Sequence, residues 1–203
     1  MSSRDPRRTS TVHASKRTSL LPRPSSIAID PTALVAQHAQ LTGSFPITIG
    51  PGAVLHPHAR VNSAGCVVVL GEGVVLFERA RVGVEGELGR SAGEDVVLGR
   101  NVVVETGAVV EGREVGEGSV VEVGAVVGRG AVVGKYCTVS AASVVPPYTT
   151  LPDFTVVFSG SQKRVDKTLQ QRPDILEQKM AVHQKQLDMF RRLIANNIAK
   201  WTG

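Results

Sequence analysis

A chain of 203 residues that is 42% hydrophobic but only 4% aromatic, with 21 glycines and a net charge of +5, is expected to be one domain with appendages, filled by small aliphatic side chains rather than rings. Its longest apolar runs fall far short of the ~20 residues of a membrane-spanning helix, and it lacks the apolar centre of a secretory signal. Cys66 and Cys137 are too few for a disulfide framework and form no CxxC pair for zinc, which points to a reducing, intracellular compartment.

Residues 1–26 are basic, rich in Ser and Thr, and broken by prolines. Arg4, Arg7, Arg8, Lys16, Arg17 and Arg23 against Asp5 give residues 1–24 a charge of +5. The segment reads as a disordered tail. Its composition also suits a mitochondrial presequence, against which Asp5 and Pro6 count, and Arg7-Arg8-Thr9-Ser10 resembles a basophilic kinase site. By contrast, residues 65–130 carry eleven Asp or Glu against six Arg. An acidic, aromatic-poor body argues against nucleic-acid binding, which calls for a basic face with stacking rings.

From Ile29 onward an aliphatic residue returns every six positions: Ile29, Val35, Leu41; Ile49, Leu55, Val61; Leu70, Leu76, Val82; Leu98, Val104, Val110; then Val115 through Val121, Val127, Val133, Val139, Val145 and Leu151 to Val157. That makes twenty hexads. A small residue usually stands two places before the aliphatic one, as at Ala53, Ala108, Ala125, Ala131 and Cys137. Residues two apart on an extended chain share a side, so each hexad is a short strand with one small and one larger side chain inward. Glycine after the aliphatic residue eases the bend. Repetition at this period signals a parallel β-helix whose coils stack at about 4.8 Å. Breaks predict loops near Ser44-Phe45, at 62–69 and, projecting, at Val84–Asp95.

Residues 163–203 change period. Pro173-Asp174 opens a predicted helix, with Asp174 and Glu177 as a capping box. Leu176, Met180, His183, Leu187, Phe190, Ile194, Asn197 and Trp201 follow at helical spacing and form a stripe. The stripe is expected to pack on the flank of the β-helix, and part of it to meet another subunit.

Two chemistries can be tested by residue. A zinc hydratase needs three histidines at one metal, but none lies between Ala59 and Val182. His56 and His58 are expected to be exposed near a corner. An acyltransferase needs a histidine base, for which His38 is the best candidate. The loop around Glu85, Glu87, Glu94 and Asp95 holds no base or nucleophile and reads as a solvated or partner-binding acidic loop. No catalytic, cofactor-binding or metal-binding residues are therefore assigned, and the chain is expected not to be an enzyme. The candidate partner interface is Phe190, Ile194 and Trp201 with Glu85 and Glu87.

The pattern aliphatic-Gly-x-x-small-x resembles the hexapeptide-repeat superfamily over residues 27–162. This resemblance implies a left-handed β-helix of just under seven triangular coils, followed by a C-terminal α-helix. Within that superfamily, Ile49-Gly50-Pro51 and Leu55-His56-Pro57-His58-Ala59-Arg60 resemble the dynactin subunit 6 family. Leu70-Gly71-Glu72-Gly73, Leu98-Gly99-Arg100-Asn101, Val145-Pro146 and Arg172-Pro173 agree with it. An Arg-Gly-Asp common in that family is replaced by Leu41-Thr42-Gly43-Ser44, which weakens any metal-site reading. The resemblance implies a cytoplasmic, cytoskeletal scaffold at the pointed end of dynactin, without cofactor, nucleic acid or membrane insertion. Its partners would be dynactin subunit 5, dynactin subunit 4 and the pointed-end actin-related protein, and it would support dynein–dynactin engagement of cargo adaptors. The alternatives are a mitochondrial γ-carbonic anhydrase-like protein and a hexapeptide acyltransferase.

Overall fold

The computed structural model describes residues 24–84 and 95–202; the tail up to residue 23, and Glu85, Glu87 and Glu94 of the acidic loop, lie outside the described residues. Each of the twenty hexads forms one short strand, numbered β1 to β20 in chain order, and every third strand pairs in parallel. Sheet A stacks β1 (Ile27–Ile29), β4 (Ile47–Ile49), β7 (Val68–Leu70), β10 (Val96–Leu98), β13 (Glu114–Val115), β16 (Val132–Val133) and β19 (Thr150–Leu151). Sheet B stacks β2 (Leu34–Val35), β5 (Val54–Leu55), β8 (Val75–Leu76), β11 (Val103–Val104), β14 (Val120–Val121), β17 (Thr138–Val139) and β20 (Thr155–Phe158). Sheet C stacks β3 (Gln40–Gly43), β6 (Arg60–Ser63), β9 (Arg81–Val82), β12 (Val109–Val110), β15 (Val126–Val127) and β18 (Val144–Val145). The result is a three-sided prism of six full coils and two further strands.

The hexad residues fill the prism. Val121, Val127, Ala125, Ala131 and Cys137 are fully buried, and Val133 nearly so. Ser119 takes one of the small inward positions; its hydroxyl donates to the Gly134 carbonyl at 2.8 Å and accepts from the Cys137 N–H at 2.9 Å, as a buried polar group must. The breaks near Ser44 and at 62–69 turn out to be one feature. Both occur where strands of sheet C are lengthened, and Thr42 and Gly43 pair in register with Asn62 and Ser63.

The outward row of each sheet decides what covers it. On sheet B that row begins Leu34, Val54, Val75; on sheet A it begins Ala28, Thr48, Val69, and on sheet C Gln40, Arg60, Arg81. The helix α2 (Pro173–Leu193) lies on the aliphatic one, where Leu187 and Phe190 join Leu34, Val54 and Val75 in a second hydrophobic cluster. Its 21 residues span about 31 Å, close to the roughly 29 Å of six coils. The expected capping box does not form. Pro173 takes the first helical position, Arg172 is the N-cap without a side-chain bond, and Asp174 pairs with Arg172 through two bonds of 2.8 and 2.6 Å.

Additional elements seal the edges of sheet B. β21 (Gln162–Val165) turns back antiparallel on β20. α1 (Lys167–Gln171) follows, its N-cap Asp166 accepting from the Leu169 N–H. Beyond α2, the Asn196 amide copies a neighbouring strand: its oxygen accepts from Val35 N–H at 3.1 Å and its nitrogen donates to the Ala33 carbonyl at 3.0 Å. Asn197 N–H then bonds the Val35 carbonyl. In α3 (Ala199–Thr202), Trp201 packs over the first coil's end with Ile27 and Ile29.

Candidate functional site

Where sheet B turns into sheet C, the early coils carry a compact block of basic side chains. His58 and Arg79 occupy the same corner position in successive coils, with left-handed φ of 63° and 59°. Two residues further on, Arg60 and Arg81 are register partners on β6 and β9. The four residues, with Gly107 of the next coil, line an open concavity of about 390 Å³ whose wall, among the described residues, holds no carboxylate. All four residues are exposed. In the coil before, His38 stacks on His58 with ring centroids 5.2 Å apart and planes 5° apart. Beyond Arg81 the same outward row continues as Val109, Val126 and Val144, of which Val144 is exposed.

One expectation is corrected here. His56 is not an exposed corner residue; it is 6% exposed, held beneath α2. Its Nδ1 lies 3.0 Å from Glu78 Oε1, and its ring sits 4.7 Å from Phe77 and 4.6 Å, edge-on, from Phe190. Burial pushes the Glu78 carboxyl up, but bonds from its own backbone N–H and from His56 together leave it below the ordinary carboxylate value. A histidine with a carboxylate on one nitrogen is the arrangement of a general base. Its other nitrogen, Nε2, is buried without a partner, so Phe190 would have to move before any substrate could reach it. His183 is structural in the same way: Nε2–H donates to the Gly73 carbonyl at 2.8 Å, and burial pushes its pKa down.

The remaining predicted residues are dispersed. Phe190 is 7% exposed and engaged within the chain, Ile194 packs on the same cluster, and Trp201 closes the first coil. The exposed apolar side chains of α2 are instead Val182, Met189 and Leu193. Burial raises the thiol pKa of both Cys66 and Cys137. Among the described residues no three His, Cys, Asp or Glu side chains come together to hold a metal ion, and no helix is long and apolar enough to cross a membrane. Sequence reasoning missed the cationic block. Its signal was His58-x-Arg60 repeated as Arg79-x-Arg81, 21 residues on.

No known protein family matches in a scan of the chain. Among solved structures, a hexapeptide transferase family protein from Anaplasma phagocytophilum superposes with a TM-score of 0.56 at 15% identity, over 81% of this chain and 96% of that one. This shows the fold: the left-handed β-helix of hexapeptide-repeat proteins. Weaker matches include a perosamine N-acetyltransferase variant from Caulobacter crescentus (TM-score 0.34, 21% identity, 72% of this chain and 58% of that one). Another is the UDP-N-acetylglucosamine O-acyltransferase of Moraxella catarrhalis (TM-score 0.36, 16% identity, 64% of each chain). The expectation that the chain is not an enzyme is contradicted by the first of these matches, because the protein that superposes at a TM-score of 0.56 is of a transferase family.

Proposed function

We propose that the chain is an assembly subunit of dynactin, placed with the pointed-end complex in the cytoplasm. It would pair with the second β-helix subunit, dynactin subunit 5, beside dynactin subunit 4 and the pointed-end actin-related protein, and support adaptor engagement by dynein–dynactin. One observation carries this reading: the stretch of the dynactin subunit 6 resemblance, residues 47–61, is the coil that supplies both His56 under α2 and His58 and Arg60 on the open side. With sheet B covered by its own helix, the outward sides of sheets A and C are the ones left for broad side-by-side packing, and stable interfaces bury roughly 1,600 Å². Affinity capture of the native chain at physiological salt tests the proposal. Recovery of dynactin subunits in a large complex is the expected result, and a solitary homotrimer would refute it.

The second reading is a hexapeptide acyltransferase. Its specific support is the exposed pair His38 and His58, either of which could serve as a base beside Arg60 and Arg79, on a fold shared with a hexapeptide transferase family protein. Incubation with acetyl coenzyme A and amine or hydroxyl acceptors, followed by free-thiol release, tests it. Turnover lost in His38→Gln or in His58→Gln supports the reading; no turnover in the unaltered chain, or turnover unchanged in both variants, removes it.

A further inference from the structure

We propose that His58, Arg60, Arg79 and Arg81 form a binding site for a phosphate-class oxyanion, a phosphoryl or diphosphoryl group. The geometry is a two-by-two block. Arg60 lies beside Arg81, and His58 beside Arg79, one coil apart, which is about 4.8 Å in stacked parallel strands. Within each coil the two members are two residues apart in the chain, His58 and Arg79 in the corner and Arg60 and Arg81 opening the strand beyond it, and all four line the same concavity. The side chains line one concavity, where Arg60 and Arg79 offer guanidinium forks that match phosphate oxygens in pairs.

Two observations show that the block is built at a cost. Like charges directly opposite one another on neighbouring strands are destabilising, and Arg60 and Arg81 are in register. Among the described residues neither Arg60 nor Arg79 forms an ion pair. His58 and Arg79 also hold left-handed backbone that favours glycine, and the equivalent corner of the next coil, also lining the concavity, is Gly107 at φ 70°. The cationic character stands out against the acidic composition of residues 65–130.

The extent of the block selects the ligand. An acidic polypeptide lying along the prism would meet charge over many coils. Here the outward row changes to Gln40 on one side and Val109 on the other, so among the described residues of this row the arginine charge spans two coils, the size of one or two phosphoryl groups.

The test is calorimetric titration of the full chain at low salt with inorganic phosphate, pyrophosphate and adenosine diphosphate, and with oligoglutamate as competitor. Saturable one-to-one pyrophosphate binding is expected. Arg60→Gln, and Arg79→Gly (which installs the residue the corner favours), should each weaken it about tenfold. Lys163→Gln on β21 should leave it unchanged, with melting temperatures of all variants compared to exclude misfolding. Adenosine diphosphate binding as tightly as pyrophosphate supports recognition of the phosphates alone, and tighter binding supports a nucleotide source. Absence of pyrophosphate binding, affinity insensitive to both substitutions, or binding of oligoglutamate alone would overturn the proposal. Arg79→Gly separates a loss of charge from a loss of fold, because it relieves backbone strain.

Discussion

Replacing Phe190 with Ala should detach α2 without unfolding the prism. The two hydrophobic clusters share no residue: the prism interior is filled by the hexad residues, and Phe190 belongs to the outer cluster with Leu34, Val54, Val75 and Leu187. Truncating a buried Phe to Ala costs about 3–5 kcal/mol. At 7% exposure on the rim of a helix contact the lower end applies, about 3 kcal/mol, of which edge-on contacts with His56 and Phe77 supply roughly 1–2. That energy is withdrawn from the docking of α2, so the population of undocked helix rises by roughly a hundredfold. Native-state hydrogen exchange should show α2 amides accelerating by about that factor while β11 to β18 keep their protection. The undocked helix would uncover His56 and also free its own His183 from the Gly73 carbonyl, so diethyl pyrocarbonate should modify two more histidines than in the unaltered chain. Equal acceleration of the coil amides, or none in α2, would refute the separation of the two clusters.

Burial holds His183 below its free value of 6.5, so the folded chain binds that proton more weakly than the unfolded one. The stability linked to this group is complete above pH 6.5 and is lost as pH falls through the folded value. Urea midpoints measured down to about pH 5 should therefore fall, and the fall should flatten in His183→Gln. Gly83→Ala should cost about 3 kcal/mol or more, since φ is +104° and the new Cβ would collide with the Asn62 carbonyl oxygen; chemical denaturation checks it. Asn196→Ala removes both amide bonds, to Ala33 and Val35, and should lower stability by about 1–2 kcal/mol, with the Val35 amide exchanging faster than those of β5.

The prism interior was legible in the hexads because an inward position recurs at fixed phase in every coil, whatever lies outside. Val121, Val127 and Val133 need only their own repeat to be placed. The stripe of α2 was legible for the same reason, through Leu187 and Phe190. The outer surface was not. His56 follows the inward Leu55 and so reads as outward, and only the arrival of a helix 134 residues later in the chain, at Phe190, turns outward into buried. The cationic block was hidden by the longer turn at 62–69, which shifts Arg79-x-Arg81 from the 18-residue coil period to a 21-residue spacing behind His58-x-Arg60. The role of Asn196 had no periodic signal at all, since it depends on one side chain imitating a strand's backbone.

That imitation sets a timetable. The groups on β2 that Asn196 satisfies are made 161 residues earlier in the chain. During synthesis at about 5–20 residues per second, the first coil waits on the order of ten seconds for its partner. The later coils meet their neighbours within one turn of the solenoid. Over that interval a growing chain on a ribosome carries an unoccupied template at Ala33 and Val35, open to strands of neighbouring nascent chains. A stop codon upstream of Asn196 would make the vacancy permanent.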